Sequence, residues 1–213
     1  MKNKLFNLYF LLMFTVIMSA DADHLVMNKI CVFPNECEMI EIFNPTSDEI
    51  DLSNYYLSDQ KEYFNWVNDQ TLSLSNQDFI FKFPDGSSIS SQGSFTITTN
   101  SISDFNSYYG YNPDISLLND QLDISFIGTN ANLSNSQEVL ILFYWDESSD
   151  LVQDVDYFLW GSNSQAIYKT VDDGYPFYDT EIELQTFKRN YTSSQYSDST
   201  YVRLGIDEID ELN

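Results

Sequence analysis

From Met39 to Phe43 the chain alternates strictly, with Ile40 and Ile42 on one face and Met39, Glu41 and Phe43 on the other, the pattern of a strand half buried in a sandwich. Asn44-Pro45 ends that run, because proline donates no backbone N–H and restricts the residue before it, and the polar residues to Glu49 read as a turn. Ile50-Asp51-Leu52 then resumes the alternation, which sends Ile40, Ile42, Ile50 and Leu52 toward one core. Comparable runs occupy Leu25–Val32, Asn54–Leu57, Phe79–Phe83, Ser94–Thr98, Leu122–Ile127, Glu138–Tyr144 and Leu151–Tyr157. About eight strands separated by polar turns predict an all-β sandwich. Phe83-Pro84-Asp85-Gly86 supplies the preset φ and the positive φ of a tight hairpin, and Gly93 does the same after SSISSQ. The alternation breaks between Ser101 and Asn119, where Phe105, Tyr108 and Tyr109 have the spacing of one short helical turn ahead of Gly110. This stretch reads as an insertion packed over one end of the sandwich. Its Tyr108, Tyr109 and Tyr111 are either a ligand-binding platform or a satellite core beneath the loop.

The block EMIEIFNPTSDEIDLSNYYLSD (Glu38–Asp59), with LVMNKICV before it and FPDGSSISSQGSFTIT after it, resembles the lamin tail domain. The resemblance implies an immunoglobulin-like β-sandwich that also occurs in secreted bacterial proteins. It resumes after Leu133: LSNSQEVLILFYWD and DLVQDVDYFLWG are similar to the closing strands of bacterial members, with Asp156, Trp160 and Gly161 in the places of an aspartate and a terminal aromatic-glycine pair. It spans Leu25 to Gly161 in pieces and carries no catalytic signature. The final YVRLGIDEIDELN resembles the arginine and acidic run found near the terminus of such proteins.

The N-terminus has the layout of a secretory signal peptide: Lys2 and Lys4, an apolar run from Leu5 to Met18, and Ala20-Asp21-Ala22 as a small-x-small cleavage site. The apolar run is shorter than the roughly 20 residues of a membrane span. The expected organisation is therefore a signal peptide over 1–22, a sandwich over 23–161, and a polar acidic segment over 162–213 that packs along a sheet edge or stays mobile. The expected location is outside the cell, in a periplasm or on the cell surface, and an exported chain has no place in the nuclear role of animal family members. The net charge is −24, and cleavage after Ala22 would leave 7 basic and 32 acidic residues. A surface so acidic repels phosphate backbones and anionic headgroups, which argues against nucleic acid and against direct membrane binding after cleavage. Cys31 and Cys37 bracket VFPNE, and in an oxidising compartment the pair is placed either to clip a hairpin as a disulfide or to remain as two thiols.

Catalytic chemistry is scarce. The only histidine, His24, lies two residues beyond the expected cleavage point, and no nucleophile elbow, P-loop, metalloprotease or dinucleotide pattern occurs. The expected protein is not an enzyme and needs no cofactor. Calcium is the sharpest site hypothesis, through Asp146, Glu147 and Asp150 in one loop and Asp172 and Asp173 before Gly174, hard oxygen donors on flexible backbone, although neither loop follows the EF-hand pattern. Taken together, the sequence points to an exported, non-catalytic binding or structural module with a protein or polysaccharide partner at the cell envelope. The alternatives are an accessory module that recruits a polysaccharide or a partner hydrolase, and a metal-dependent hydrolase using carboxylates.

Overall fold

A computed structural model describes residues 21–66, 75–118, 125–149, 151–162, 164, 167 and 200–206. Strand β1 (Val26–Cys31) is followed by a single 3-10 turn (Asn35–Cys37), then by β2 (Met39–Phe43), β3 (Ile50–Asp51) and β4 (Tyr55–Ser58). After the one-turn helix α1 (Tyr63–Trp66) come β5 (Phe79–Lys82), β6 (Ser88–Ile89), β7 (Ser94–Thr98), helix α2 (Ile102–Tyr109) and β8 (Ile115–Ser116). The remaining strands are β9 (Ser125–Ile127), β10 (Glu138–Tyr144), β11 (Gln153–Trp160) and β12 (Thr200–Val202). Among the described residues, sheet one has the order β12-β1-β2-β7-β8, sheet two the order β11-β10-β4-β5-β9, and β3 pairs with β6 in a small ribbon.

The predicted register of β2 is the observed one. Ile40 and Ile42 are buried in the core between the sheets together with Leu52, Leu57, Phe79, Phe81, Ile97, Leu140 and Leu142, and Ile50 packs half-buried against them. Glu41 lies on the opposite face as its position requires, yet it is not free there: it accepts from Lys29 Nζ at 2.8 Å and from Asn28 Nδ2 at 2.6 Å. The neighbouring strand β1 changes parity. Leu25 and Met27 enter the core, then Ile30 and Val32 do, because the ladder with β2 shifts register between Met27 and Lys29. A bulge at this point absorbs one residue and restores the inward face.

Sheet two is covered on both sides. Along β10, Leu140 and Leu142 point into the inter-sheet core, while Val139, Ile141 and Phe143 point outward into a second cluster with Tyr56, Tyr63, Phe64, Trp66, Trp145 and Leu159. The uninterrupted apolar run VLILF is the sequence counterpart of a strand with no wet face. In that outer layer Tyr56 stacks on Phe143 with centroids 5.1 Å apart, and the Tyr63 hydroxyl donates to Asp154.

Two features close the sandwich. Strand β12 adds antiparallel to β1 and takes up its outer edge, with Lys29 opposite Val202 and Cys31 opposite Thr200. Beside it, Asp156 of β11 accepts the Met27 N–H of the bulge at 2.5 Å and its neighbour's Tyr157 N–H at 2.8 Å, and it lies 3.6 Å from the Arg203 guanidinium. Trp160 donates its indole N–H to Ser134 O at 2.7 Å. Gly161 follows at φ +77°, where a Cβ would collide with the Ser136 carbonyl oxygen, so no other residue fits there.

Candidate functional site

Helix α2 lies on the outer face of sheet one. Its two turns exceed the single turn expected from the tyrosine spacing, and its caps explain why: Ser101 Oγ accepts the Asp104 N–H at 3.1 Å while Asp104 Oδ2 takes the Ser101 hydroxyl at 2.7 Å. Gly110 ends the helix at φ +78° and returns its N–H to Asn106 O at 2.8 Å. Phe105 is fully buried against Met39 and the bonded pair Cys31–Cys37, whose Cα atoms are 6.3 Å apart. The helix thus rests on the covalently closed loop that joins β1 to β2.

The three tyrosines divide. Tyr109 is half-buried, packs at 4.6 Å between ring centroids on Phe105, and donates its hydroxyl to Cys37 O at 2.8 Å. Tyr108 and Tyr111 are each 45% exposed, and their rings lie 4.8 Å and 5.8 Å from that of Tyr109. Burial, with Tyr108 and Tyr111 as acidic neighbours, raises the Tyr109 phenol well above its ordinary range; burial and the nearby Glu41 raise that of Tyr111. Both phenols stay protonated at neutral pH, which suits stacking and hydrogen bonding and not nucleophilic attack.

Below Tyr111 the outer face of sheet one continues as a cross-strand row of Val202, Lys29, Glu41 and Thr96, since directly opposed residues share a face. Asp114 anchors this rim by accepting the Thr96 N–H at 2.6 Å. Behind the edge, Asn28, Lys29, Phe158, Tyr201 and Arg203 line a cavity of about 210 Å³.

The acidic loop after β10 is organised differently from a calcium cradle. Asp146 turns back on its own loop to accept the N–H groups of Ser148 and Ser149 at 2.9 and 2.7 Å, bonds that lower its pKa. Glu147, at φ +61°, accepts from Lys82 Nζ and from the Tyr56 hydroxyl, and these two bonds lower its pKa in that order. Its cation partner is already Lys82. Asp150, Asp172 and Asp173 lie outside the described residues, among which no group of three or more acids, histidines and cysteines is placed to hold a metal.

Comparison with protein families decides what carries these surfaces. A family model for the Lamin Tail Domain matches residues 18–158, two thirds of the chain. The chain belongs to the lamin tail domain family. No curated protein matches it. The lamin tail domain family is one of non-catalytic modules with an immunoglobulin-like β-sandwich, and the two facing sheets and their inter-sheet core form that sandwich here. The matched stretch of this lamin tail domain includes β1 through β10, α2 and most of β11, so the exposed tyrosines lie within it.

Sequence reasoning passed over Glu38 and Glu138, which hold the turn ahead of β10 from two sides, and over Asp59, whose buried carboxylate accepts the Phe79 N–H at 2.6 Å. A glutamate directly before an apolar strand run is a weak signal of such anchoring, and in a chain with 33 acids it does not stand out.

Proposed function

We propose that this lamin tail domain is carried on an exported protein and works as a non-catalytic binding or structural module at the cell surface or envelope. The observation that carries the reading is the pair of half-exposed rings, Tyr108 and Tyr111, fixed over Phe105 and a disulfide-closed loop. Rigid aromatic side chains offer a large contact area at little cost in rotamer entropy, and a preorganised face binds without first having to order itself. Lys29 beside them, paired to Glu41 yet with 41% of its side chain exposed, offers an ammonium group for orientation. Partners of either protein or polysaccharide chemistry fit that combination, whereas the net charge of −24 disfavours polyanions. Export rests on the apolar run from Leu5 to Met18 and its small-x-small boundary.

Capture from envelope extract tests the proposal. The mature protein is expected to retain a partner that the double variant Tyr108→Ala, Tyr111→Ala loses by about tenfold or more, with circular dichroism and melting temperature close to the parent's. Parallel assays against phosphoester, glycoside and peptide panels with Ca²⁺, Mg²⁺ and Zn²⁺ are expected to show no turnover. Undiminished capture by the double variant would remove this face from the reading. Turnover that follows the protein through purification and vanishes on replacement of one carboxylate would overturn it.

A further inference from the structure

Consecutive amides of one turn are held by carboxyl groups from opposite sheets. The Leu133 N–H donates to Glu38 Oε2 at 3.0 Å, and Glu38 immediately precedes β2 of sheet one. The Ser134 N–H donates to Glu138 Oε2 at 2.7 Å, and Glu138 opens β10 of sheet two. Thr99 Oγ1 adds a second bond to Glu38 Oε2 at 2.5 Å, while Glu38 Oε1 is buried without a hydrogen-bond partner on a residue only 1% exposed.

Among the described residues, the ionisable groups that face these carboxyls are all acids. Glu36, from the 3-10 turn, and Glu138 face Glu38; Asp78, just ahead of β5, and Glu38 face Glu138; and Asp59, at the end of β4, is faced in turn by Glu138 and Asp78. A carboxylate taken out of water with no cation beside it is costly; Glu38 is buried and Glu138 half-buried, no cation faces either among the described residues, and the two raise that cost for each other, so the neutral form is favoured. Burial, reinforced by Glu36, lifts the Glu38 carboxyl to about 7; burial, reinforced by Asp78 and Glu38, lifts that of Glu138 to about 8.

We propose that Glu38 and Glu138 form a proton-loaded clasp that joins the two sheets through the Leu133–Ser134 turn and loosens when the pair loses its protons. The folded state binds these protons more tightly than the unfolded chain does. Their contribution to stability is complete below the ordinary glutamate range and is lost as pH rises through the folded-state values, a window from about pH 5 to 8. Ordinary carboxylates are already ionised across most of that window and do not contribute to the change.

Denaturant titrations of the full chain at about pH 5.5 and about pH 8.5 test the clasp. The folding equilibrium constant of the parent is expected to fall by more than about tenfold between them. In Glu38→Gln, Glu138→Gln and the double variant an amide oxygen still accepts the turn's N–H groups. Each is expected to flatten that fall and to exceed the parent in stability at the higher pH, Asp59 accounting for the slope that remains. An equal fall in the double variant, or lower stability than the parent at about pH 8.5, would overturn the proposal. Carbon-13 titration of the glutamate carboxyls in the parent gives a reading that needs no variant: two are expected to titrate above about pH 6, and ordinary titration of all of them refutes the clasp. Restoration of the high-pH stability by millimolar Ca²⁺ beyond an NaCl control would make the pair a cation site and also sink it.

Discussion

Replacing Asp156 with alanine should be far more damaging than replacing its cationic neighbour, Arg203. Asp156 is buried, and its Oδ2 accepts the N–H of Met27, a backbone group at the β1 bulge. Hydrogen bonds to charged groups contribute roughly 1.5 to 3 kcal/mol, and a buried donor left without its acceptor costs about 1 to 3 kcal/mol. Because these two figures overlap in what they count, the expected loss for Asp156→Ala is about 3 kcal/mol rather than their sum. The Arg203 guanidinium, by contrast, is 3.6 Å from Asp156 Oδ1, too far for a hydrogen bond, and its side chain keeps 21% of its surface in solvent, so the pair contributes less than the bond to the Met27 amide, on the order of 1 kcal/mol. Arg203→Ala should therefore cost no more than about 1 kcal/mol, and Asp156→Asn, which keeps one carbonyl oxygen, should fall between the two alanine variants. Urea titrations at neutral pH, with the slope of the transition checked to be unchanged, read the differences. Equal losses for Asp156→Ala and Arg203→Ala would refute the reasoning, because they would place the energy in the ion pair and not in the bond to the Met27 amide. A double-mutant cycle should return a coupling below about 1 kcal/mol.

Calcium at millimolar concentration is expected to raise the melting temperature no further than NaCl of matched ionic strength, since Lys82 already occupies Glu147 and Asp146 is bonded to its own loop. A larger shift that Asp146→Asn abolishes would contradict this. For the cysteines, mass spectrometry of alkylated, non-reduced protein should find no modification at Cys31 or Cys37, and replacing both with serine should cost about 2 kcal/mol for so short a loop. Two alkylated thiols in freshly exported protein would refute the bridge.

The sandwich was legible wherever a polar residue marks the outer face of a strand, as Glu41 does in β2 and Thr96 in β7. β2 and β7 have the bounds that alternation predicts, Met39–Phe43 and Ser94–Thr98. Where a strand is covered twice, the pattern foretold the strand but not its surroundings: VLILF placed β10, while the outer aromatic layer of Tyr63, Trp66 and Trp145 depends on a helix of only four residues. The parity change in β1 was invisible because a bulge at Asn28 leaves no mark beyond two polar residues in a row. α2 was underestimated in length although Ser101 and Asp104 spell a capping box and Gly110 a stop. The candidate sites fared according to range. The spacing of Cys31 and Cys37 allows a bridge within one loop without deciding it, and the meetings of Asp156 with Arg203 and of Glu38 with Glu138 are set by which strands become neighbours, which separation along the chain does not encode. The exposed and buried tyrosines of α2 likewise could not be told apart until the helix had a sheet to rest on.

The pairing of β12 with β1 also sets how the domain meets mechanical load. The strands are antiparallel, with Cys31 opposite Thr200 at one end and the Arg203 N–H on Asn28 O at the other, so the start of β1 lies beside the finish of β12. Tension applied at residues 26 and 203 pulls across the ladder and along its hydrogen bonds, which in an antiparallel pair run perpendicular to the strands. The rungs then open one at a time, like a zip, instead of resisting together in shear. A tether drawing on both flanks would peel this edge at low force and uncover the rim of Phe158 and Trp160 on which Tyr201 packs, while the Cys31–Cys37 loop and the helix above it stay out of the line of pull.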